Sequence, residues 1–220
     1  MKIRSYLIRC CIALIISAIL PVPADAKHRT VHRKVHRHRH QHQAVHRTVA
    51  QSPSSYLVQV NGETYQEKNP DLRRAPASLT KIMTALIVLE KGRLDDVVTV
   101  SAAASRETGS RIRLRRGDRL KVRDLLAATL MASANDAARA LADHEAGSQE
   151  AFVTLMNDRA RSLKLHNTQF TNACGHDQKG LYTSAHDLAI LTEQALRNPT
   201  FAELVGERTR RITTVSGNRS

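Results

Sequence analysis

The sequence is poor in aromatic residues, and this shortage restricts the partners that the protein can recognise. Tryptophan is absent and aromatic residues make up 3% of the 220-residue chain. Nucleic-acid bases stack on aromatic side chains, and no predicted helix is rich in side chains that read bases. The net charge is +14, but only +5 remains once the +2 of residues 1–26 and the +7 of residues 27–50 are set aside. We therefore expect no nucleic-acid partner.

The sequence also lacks an apolar run long enough to predict a membrane span. The apolar stretch Cys10–Leu20 has about ten residues, against the roughly 20 that a span needs. Basic residues precede it, and prolines and the small-residue sequence Ala24-Asp-Ala26 follow it. This order is typical of a cleaved secretory signal. We predict that residues 1–26 are a signal peptide and that the protein is exported to the periplasm or cell envelope.

Cysteine is scarce, which excludes an internal disulfide in the processed chain. Cys10 and Cys11 lie in the predicted signal peptide, so Cys174 would be the single remaining thiol. An unpaired cysteine in an oxidising compartment is either buried or reactive. We predict that Cys174 is buried.

Residues 27–50 contain no acidic residue and hold seven of the eleven histidines. Such a segment cannot build a core, so we predict that residues 27–55 form a disordered linker rich in histidine and arginine. Its positive charge favours contact with an anionic envelope. The alternative is weak metal binding by alternate histidines, namely His36, His38, His40 and His42. We predict no structural metal site and no cofactor.

The folded part is predicted to begin with an antiparallel hairpin and to continue mainly as helices. Residues 56–60 and 63–67 read as strands around the turn Asn61-Gly62. Apolar periodicity and capping signals then predict helices from 78 to 89, 121 to 131, 135 or 136 to 145, 148 to 165 and from Ser184–Asp187 to Asn198-Pro199. Shorter strands are predicted at Val97–Val100 and Arg210–Val215.

A serine and a lysine one helical turn apart form the first candidate site. Ser78 and Lys81 open the apolar run Ile82–Leu89, which predicts a buried helix. Residues three apart on a helix face the same way, so the hydroxyl and the amine can come within hydrogen-bond reach. Burial against an apolar wall disfavours the ammonium form of lysine. Lys81 can then accept the proton of Ser78, which makes Ser78 a candidate nucleophile.

Ser133 and Asn135 form the second candidate group, at the junction of two predicted helices. Ser133 can relay a proton between Lys81 and a leaving group. Asn135 can donate a hydrogen bond to a substrate amide carbonyl or to Lys81. The alternative is that Ser133 or Asn135 caps a helix. Spacing alone leaves both interpretations open.

The segments Ala77–Thr84 and Leu130–Ala138 resemble the first two active-site motifs of the D-alanyl-D-alanine carboxypeptidases, which are low-molecular-mass penicillin-binding proteins and serine peptidases. The resemblance covers about residues 56–215. It implies an α/β (α+β) fold of the penicillin-binding transpeptidase and serine β-lactamase type. In that fold an antiparallel sheet packs with helices around a mainly helical central region.

The resemblance also implies a reaction and its partners. Ser78 would attack the peptide bond of a peptidoglycan stem peptide ending in D-Ala-D-Ala, and Lys81 would take its proton. Ser133 would complete the transfer and Asn135 would bind substrate. Water would then release the acyl group, and β-lactams would act as covalent inhibitors.

The sequence departs from the family pattern at the third motif. No Lys-Thr-Gly triplet follows Ser133, and the partial match Glu107-Thr-Gly109 precedes Ser133 and lacks the lysine. Residues 56–220 are therefore interpreted as an incomplete catalytic domain that lacks its C-terminal sheet strands. The resemblance implies that the strand bearing this motif supplies the second hydrogen-bond donor to the oxyanion. Loss of one such donor lowers a catalytic rate on the order of a hundred- to a thousandfold.

Three alternative functions stay open at the level of the sequence. A serine β-lactamase shares these motifs but needs a deacylating base, for which Glu145 and Glu150 are the available acids. A peptidoglycan endopeptidase differs in the shape of the cleft. The third alternative is a non-catalytic module that binds the cell envelope.

Overall fold

The computed structural model describes residues 53–215, which begin with an antiparallel hairpin. Strand β1 (Tyr56–Val60) pairs with β2 (Glu63–Lys68). Asn61 and Gly62 form the turn, with φ of 54° and 84°. An Asn-Gly turn reaches this left-handed conformation with little strain. The predicted hairpin is confirmed, whereas residues 1–26 and most of the predicted linker lie outside the described part of the chain.

A second two-stranded antiparallel sheet and seven α-helices follow the hairpin in residues 53–215. The sheet pairs β3 (Val97–Thr99) with β4 (Arg119–Lys121). The helices are α1 (Thr80–Lys91), α2 (Ala102–Ser105), α3 (Val122–Met131), α4 (Asn135–Ala146), α5 (Gln149–Ser162), α6 (Ala185–Leu196) and α7 (Pro199–Gly206). None of the helices in this part of the chain combines the length and apolar character that crossing a membrane requires.

Helix α1 is the centre of the core. Nine of its 12 residues are buried, and it packs against α3, α4, α5, α6 and α7. A helix enclosed on all sides has apolar residues around its whole circumference, as the run from Ile82 to Leu89 does. A short 3₁₀ turn, Ala77–Leu79, leads directly into it. The core therefore holds the backbone that bears Ser78 and Lys81.

Asp136 anchors the start of α4 to the segment that precedes β4. Its side chain is 1% exposed and accepts hydrogen bonds from the backbone N–H groups of Ile112, Leu114 and Ala137. A buried carboxylate is tolerated because several donors satisfy it. Asn135 N also donates to Ser110 O at 2.8 Å. These bonds position the turn between α3 and α4.

Two short helices were not predicted from the sequence. Ser101 Oγ accepts from Ala104 N and caps α2, and Asn198 Oδ1 accepts from the first N–H groups of α7. The sequence pattern predicts Asn198-Pro199 only as the end of the preceding helix. It also has the signature of a helix start, an N-cap asparagine followed by proline at the first helical position.

The predicted strand Arg210–Val215 is wrong, because the structure assigns no strand to this segment. Val215 N donates to Arg119 O at 2.7 Å, and Arg210 forms ion pairs with Glu203 and Glu207. Alternating residues form a strand only when a neighbouring strand supplies a ladder of hydrogen bonds. Alternation along residues 210–215 alone does not show whether a partner strand is present, so it does not suffice to predict a strand.

Candidate active site

Ser78, Lys81 and Ser133 lie together at the N-terminal end of α1. Lys81 Nζ donates to Ser78 Oγ at 3.3 Å, and Ser133 Oγ donates to Ser78 Oγ at 3.0 Å. Lys81 lies in the first turn of α1 and Ser78 in the 3₁₀ turn before it. The expected contact between this serine and lysine is confirmed. A second hydroxyl, 55 positions later in the chain, reaches the same oxygen.

Lys81 is enclosed in a way that favours its neutral form. The residue is 2% exposed, and its Nζ also donates to the backbone carbonyl of Cys174 at 2.7 Å. Burial lowers the pKa of Lys81, because desolvation penalises the charged amine, while charge interactions with an ionised Cys174 and with Glu107 act in the opposite direction. A neutral amine beside Ser78 Oγ can accept its proton.

Ser133 reaches the site from the turn between α3 and α4. Its φ is 52°, a left-handed conformation that is uncommon for residues other than glycine and asparagine. Backbone strain of this kind costs on the order of 1–3 kcal/mol and persists where the surrounding structure imposes it. Here the conformation directs the hydroxyl to Ser78, so the strain serves the geometry of the site.

Asn135 borders the site, but its side-chain amide forms no hydrogen bond to Lys81. It is the first residue of α4 and is 7% exposed, and its Nδ2 donates to Thr108 O at 2.7 Å. The proposed bond to Lys81 is therefore not formed. The capping alternative is also wrong, because the N-cap of α4 is Ala134 and no side chain caps it.

A loop that the sequence analysis does not single out supplies the backbone carbonyl that binds Lys81. The Asn172 side-chain carbonyl accepts from the backbone N–H groups of Cys174, Gly175 and His176 at 2.7–3.1 Å. An asparagine that binds the backbone a few residues on is a recognised turn signal. This turn fixes the carbonyl of Cys174 that receives the Lys81 bond.

Gly175 lies against the backbone of Ala77 and Ser78. Its φ is 88°, and a Cβ atom built on it would be 1.8 Å from Ala77 O and 3.1 Å from Ser78 N. Ala77 itself has a φ of 47°. The two chain segments therefore approach so closely that only glycine fits.

Cys174 is 2% exposed, which confirms its predicted burial. Its Sγ donates to Asn135 O at 3.3 Å, and burial raises the pKa of the thiol to about 12. The thiol is therefore neutral near pH 7. Of the two groups that raise the pKa of Lys81, Glu107 is therefore the one that acts near pH 7.

Comparison with known proteins identifies the family. The family model described as peptidase S11, D-alanyl-D-alanine carboxypeptidase, matches residues 41–218. The chain belongs to this family. The resemblance recognised in the motifs around Ser78 and Ser133 is thereby confirmed.

Two curated members of the D-alanyl-D-alanine carboxypeptidase family illustrate the extent of the match. DacF of Bacillus subtilis (strain 168) is 37% identical over 162 residues, which cover 71% of this chain and 42% of DacF. DacC of Escherichia coli (strain K12) is 41% identical over 142 residues, 60% of this chain and 36% of DacC. The chain thus spans about two fifths of the length of these relatives.

A solved structure confirms the fold class. Penicillin binding protein 6B from Escherichia coli is similar with a TM-score of 0.64 and 34% identity, over 76% of this chain and 59% of that protein. The predicted α/β (α+β) class of the penicillin-binding proteins is therefore correct. Within residues 53–215 the strands form two separate two-stranded sheets, and helices make up most of the core.

Proposed function

We propose that this member of the D-alanyl-D-alanine carboxypeptidase family removes the terminal D-alanine from peptidoglycan stem peptides through an acyl-enzyme on Ser78. The observation that carries the proposal is the convergence of Lys81 Nζ and Ser133 Oγ on Ser78 Oγ, at 3.3 and 3.0 Å. A nucleophile within reach of a desolvated base is the arrangement that acyl transfer needs. The assignment of catalytic roles to these residues is part of the proposal.

The acylation step follows from these contacts. Neutral Lys81 takes the hydroxyl proton as Ser78 Oγ attacks the carbonyl carbon between the two D-alanines. The Ser78 N–H donates to the developing oxyanion. Collapse of the tetrahedral intermediate breaks the C–N bond, and the proton passes through Ser133 to the amine of the leaving D-alanine. Water then attacks the ester, and Ser78 recovers its proton as the acyl product leaves.

Asn135 is proposed to orient the substrate. One N–H of its side-chain amide is committed to Thr108 O. An asparagine amide has two N–H donors, so the second can bind a carbonyl oxygen of the stem peptide. The bond to Thr108 O then holds the amide in a fixed orientation, which reduces the entropy cost of positioning the substrate.

The β-lactamase alternative loses support because the candidate bases lie elsewhere. Asn135 begins α4 beside the site, whereas Glu145 is ten residues further along the same helix, about 15 Å away at 1.5 Å per residue. Glu145 Oε2 accepts from Arg93 at 2.6 Å. Glu150 is exposed in the first turn of α5. Glu145, which lies far along α4 and is paired with Arg93, is therefore not placed to activate water on an ester of Ser78.

We further propose that the protein works in the cell envelope. The predicted signal peptide supports export, and the predicted basic linker supports electrostatic contact with anionic envelope polymers. Peptidoglycan stem peptides and β-lactams are the proposed partners, in keeping with the names of the family and of penicillin binding protein 6B.

Covalent labelling with a fluorescent penicillin tests the nucleophile. We expect the wild-type chain to carry the label after denaturing electrophoresis and Ser78→Ala to carry none. Ser162→Ala, which changes an exposed serine at the end of α5, is the matched control and should label as the wild type does. A folded wild-type chain that takes up no label would leave the non-catalytic envelope module as the better explanation.

Product analysis separates the two hydrolase functions. A carboxypeptidase releases free D-alanine from a pentapeptide, whereas an endopeptidase cuts cross-linked dimers into monomers. We expect D-alanine release from the pentapeptide. Cleavage restricted to cross-linked dimers would contradict the carboxypeptidase proposal and leave the acyl-enzyme chemistry intact.

We expect the labelling rate to rise with pH and to level off above the pKa of Lys81. Only the neutral amine accepts the Ser78 proton, and burial lowers the pKa, so the midpoint should lie below the ordinary value for lysine. The rate is measured across a pH series in EDTA, so that bound metal ions do not contribute. A labelling rate that does not change across the pH series would show that Lys81 is not the base.

A further inference from the structure

Three side chains that the acylation steps do not use form a compact cluster beside Lys81. They are the carboxylate of Glu107, the thiol of Cys174 and the imidazole of His176. One ligand-type atom from each lies within 4.8 Å of the others, and Glu107 Oε2 is 2.9 Å from His176 Nε2. Nothing in the proposed reaction requires a thiol and an imidazole to meet a carboxylate at this place.

The surroundings hold all three groups in position. Cys174 and His176 flank Gly175 in the turn fixed by the Asn172 side chain. The other carboxylate oxygen of Glu107 is 3.4 Å from Arg139 Nη1. Bonds from neighbouring side chains and backbone orient the ligands of metal sites in this way.

The separations match those of a small transition-metal site. Zinc binds cysteine sulfur at about 2.3 Å and nitrogen or oxygen at about 2.0–2.2 Å in tetrahedral geometry, so its ligand atoms lie roughly 3.3–3.8 Å apart. The observed separations, from 2.9 Å to at most 4.8 Å, bracket this range. Small side-chain rotations therefore suffice to place all three atoms around one ion.

We propose that Glu107, Cys174 and His176 form a binding site for a single Zn²⁺-type transition-metal ion. Sulfur, nitrogen and carboxylate oxygen are donors that zinc accepts together, and three protein ligands leave one coordination position for water or another group. The His176 side chain is 37% exposed and gives the ion a path from solvent, whereas that of Glu107 is 13% exposed.

Binding would exchange a proton for the metal ion. The thiol gives up its proton to solvent and its hydrogen bond to Asn135 O, and the thiolate sulfur then coordinates the ion. A thiol coordinates a metal ion as the thiolate, so the ion must displace this proton.

The ordinary alternative is a simple ion pair between Glu107 and His176. That pair explains the 2.9 Å contact but assigns no role to the sulfur. The two interpretations differ in one observable, namely coordination of a metal ion by the Cys174 thiolate, which occurs only if the three residues form a metal site.

Titration with Co²⁺ distinguishes these interpretations, because a thiolate bound to Co²⁺ gives a near-ultraviolet charge-transfer band. The experiment uses the full chain with Cys10→Ser and Cys11→Ser, so that Cys174 is its one thiol. The seven histidines of residues 27–50 can bind the metal through nitrogen, but they cannot produce this band. We expect the band to saturate near one equivalent of Co²⁺ and to disappear when Zn²⁺ displaces it.

Variants of the three ligands complete the test. Cys174→Ser should abolish the charge-transfer band. His176→Ala and Glu107→Gln should each weaken the Co²⁺ affinity, measured from the band, by roughly tenfold or more. His186→Ala, which changes a surface histidine paired with Asp71, is the matched control and should leave the band unchanged. No band in the parent, or full affinity in His176→Ala and Glu107→Gln, would overturn the proposal. Because no activity is measured, this outcome is independent of the acylation experiments.

Discussion

Lys81→Met is expected to slow penicillin labelling of Ser78 by roughly two to four orders of magnitude, the usual contribution of a general base. Lys81 Nζ lies 3.3 Å from Ser78 Oγ and is buried, which favours the neutral amine. Methionine keeps an unbranched apolar side chain in the same space and removes only the amine. The measurement is the labelling rate at one pH, followed over time on a denaturing gel.

Lys91→Met is the matched control, because Lys91 is exposed at the last turn of the same helix. It should label at the wild-type rate. Removal of the Lys81 amine leaves Cys174 O without its donor, which costs about 1–3 kcal/mol, so thermal unfolding must show that Lys81→Met is folded. A folded Lys81→Met that labels at the wild-type rate would remove Lys81 from the mechanism.

Gly175→Ala is expected to lower the labelling rate about a hundredfold and to destabilise the fold. The new Cβ would lie 1.8 Å from Ala77 O and 2.4 Å from Ala77 C, which are backbone atoms that cannot rotate away. The chain that bears Ser78 must therefore shift. A displacement of about 1 Å in a catalytic group typically costs about a hundredfold in rate.

Gly180→Ala separates this contact from backbone strain. Gly180 lies in the same loop with a φ of 91°, and a Cβ there would meet its nearest atoms at 3.6 and 3.7 Å, which is ordinary van der Waals contact. Both variants suffer the left-handed strain of about 1–2 kcal/mol, but only Gly175→Ala has the overlap. Labelling rates and unfolding midpoints are compared for both. Equal labelling rates would show that the contact with Ala77 does not position Ser78.

Local sequence signals account for most of the secondary structure. Asn61-Gly62 specifies the hairpin because both residues accept left-handed backbone angles, and Ser148 caps α5 where the apolar stripe begins. The predicted strand at Arg210–Val215 failed because strand pairing depends on a distant partner that alternation does not reveal. Helix α7 has a local start signal in Asn198-Pro199, but the same dipeptide also ends the preceding helix, so the pattern by itself does not distinguish the two.

The candidate site likewise combines contacts that the sequence predicts with contacts that it does not. The contact between Ser78 and Lys81 was predictable because the two residues are three apart on a continuous helical segment, the 3₁₀ turn that leads into α1. The family motif also predicts that Ser133 and Asn135 lie nearby. The Asn172 turn, the Cys174 carbonyl and the Glu107–His176 contact were not predictable. Residues 107 and 176 are 69 positions apart, and their contact depends on how the helices pack.

The sequence alone determined the family motifs, the contact between Ser78 and Lys81, the burial of Cys174 and most helix boundaries, because these depend mainly on residues close together in the chain. Only the tertiary structure decided that Gly175 lies against Ala77, that Cys174 O receives the Lys81 bond, and that three ligand-type side chains meet beside it. The physical reason is that packing of the core around α1 brings distant segments together, and their contacts depend on the whole set of buried side chains.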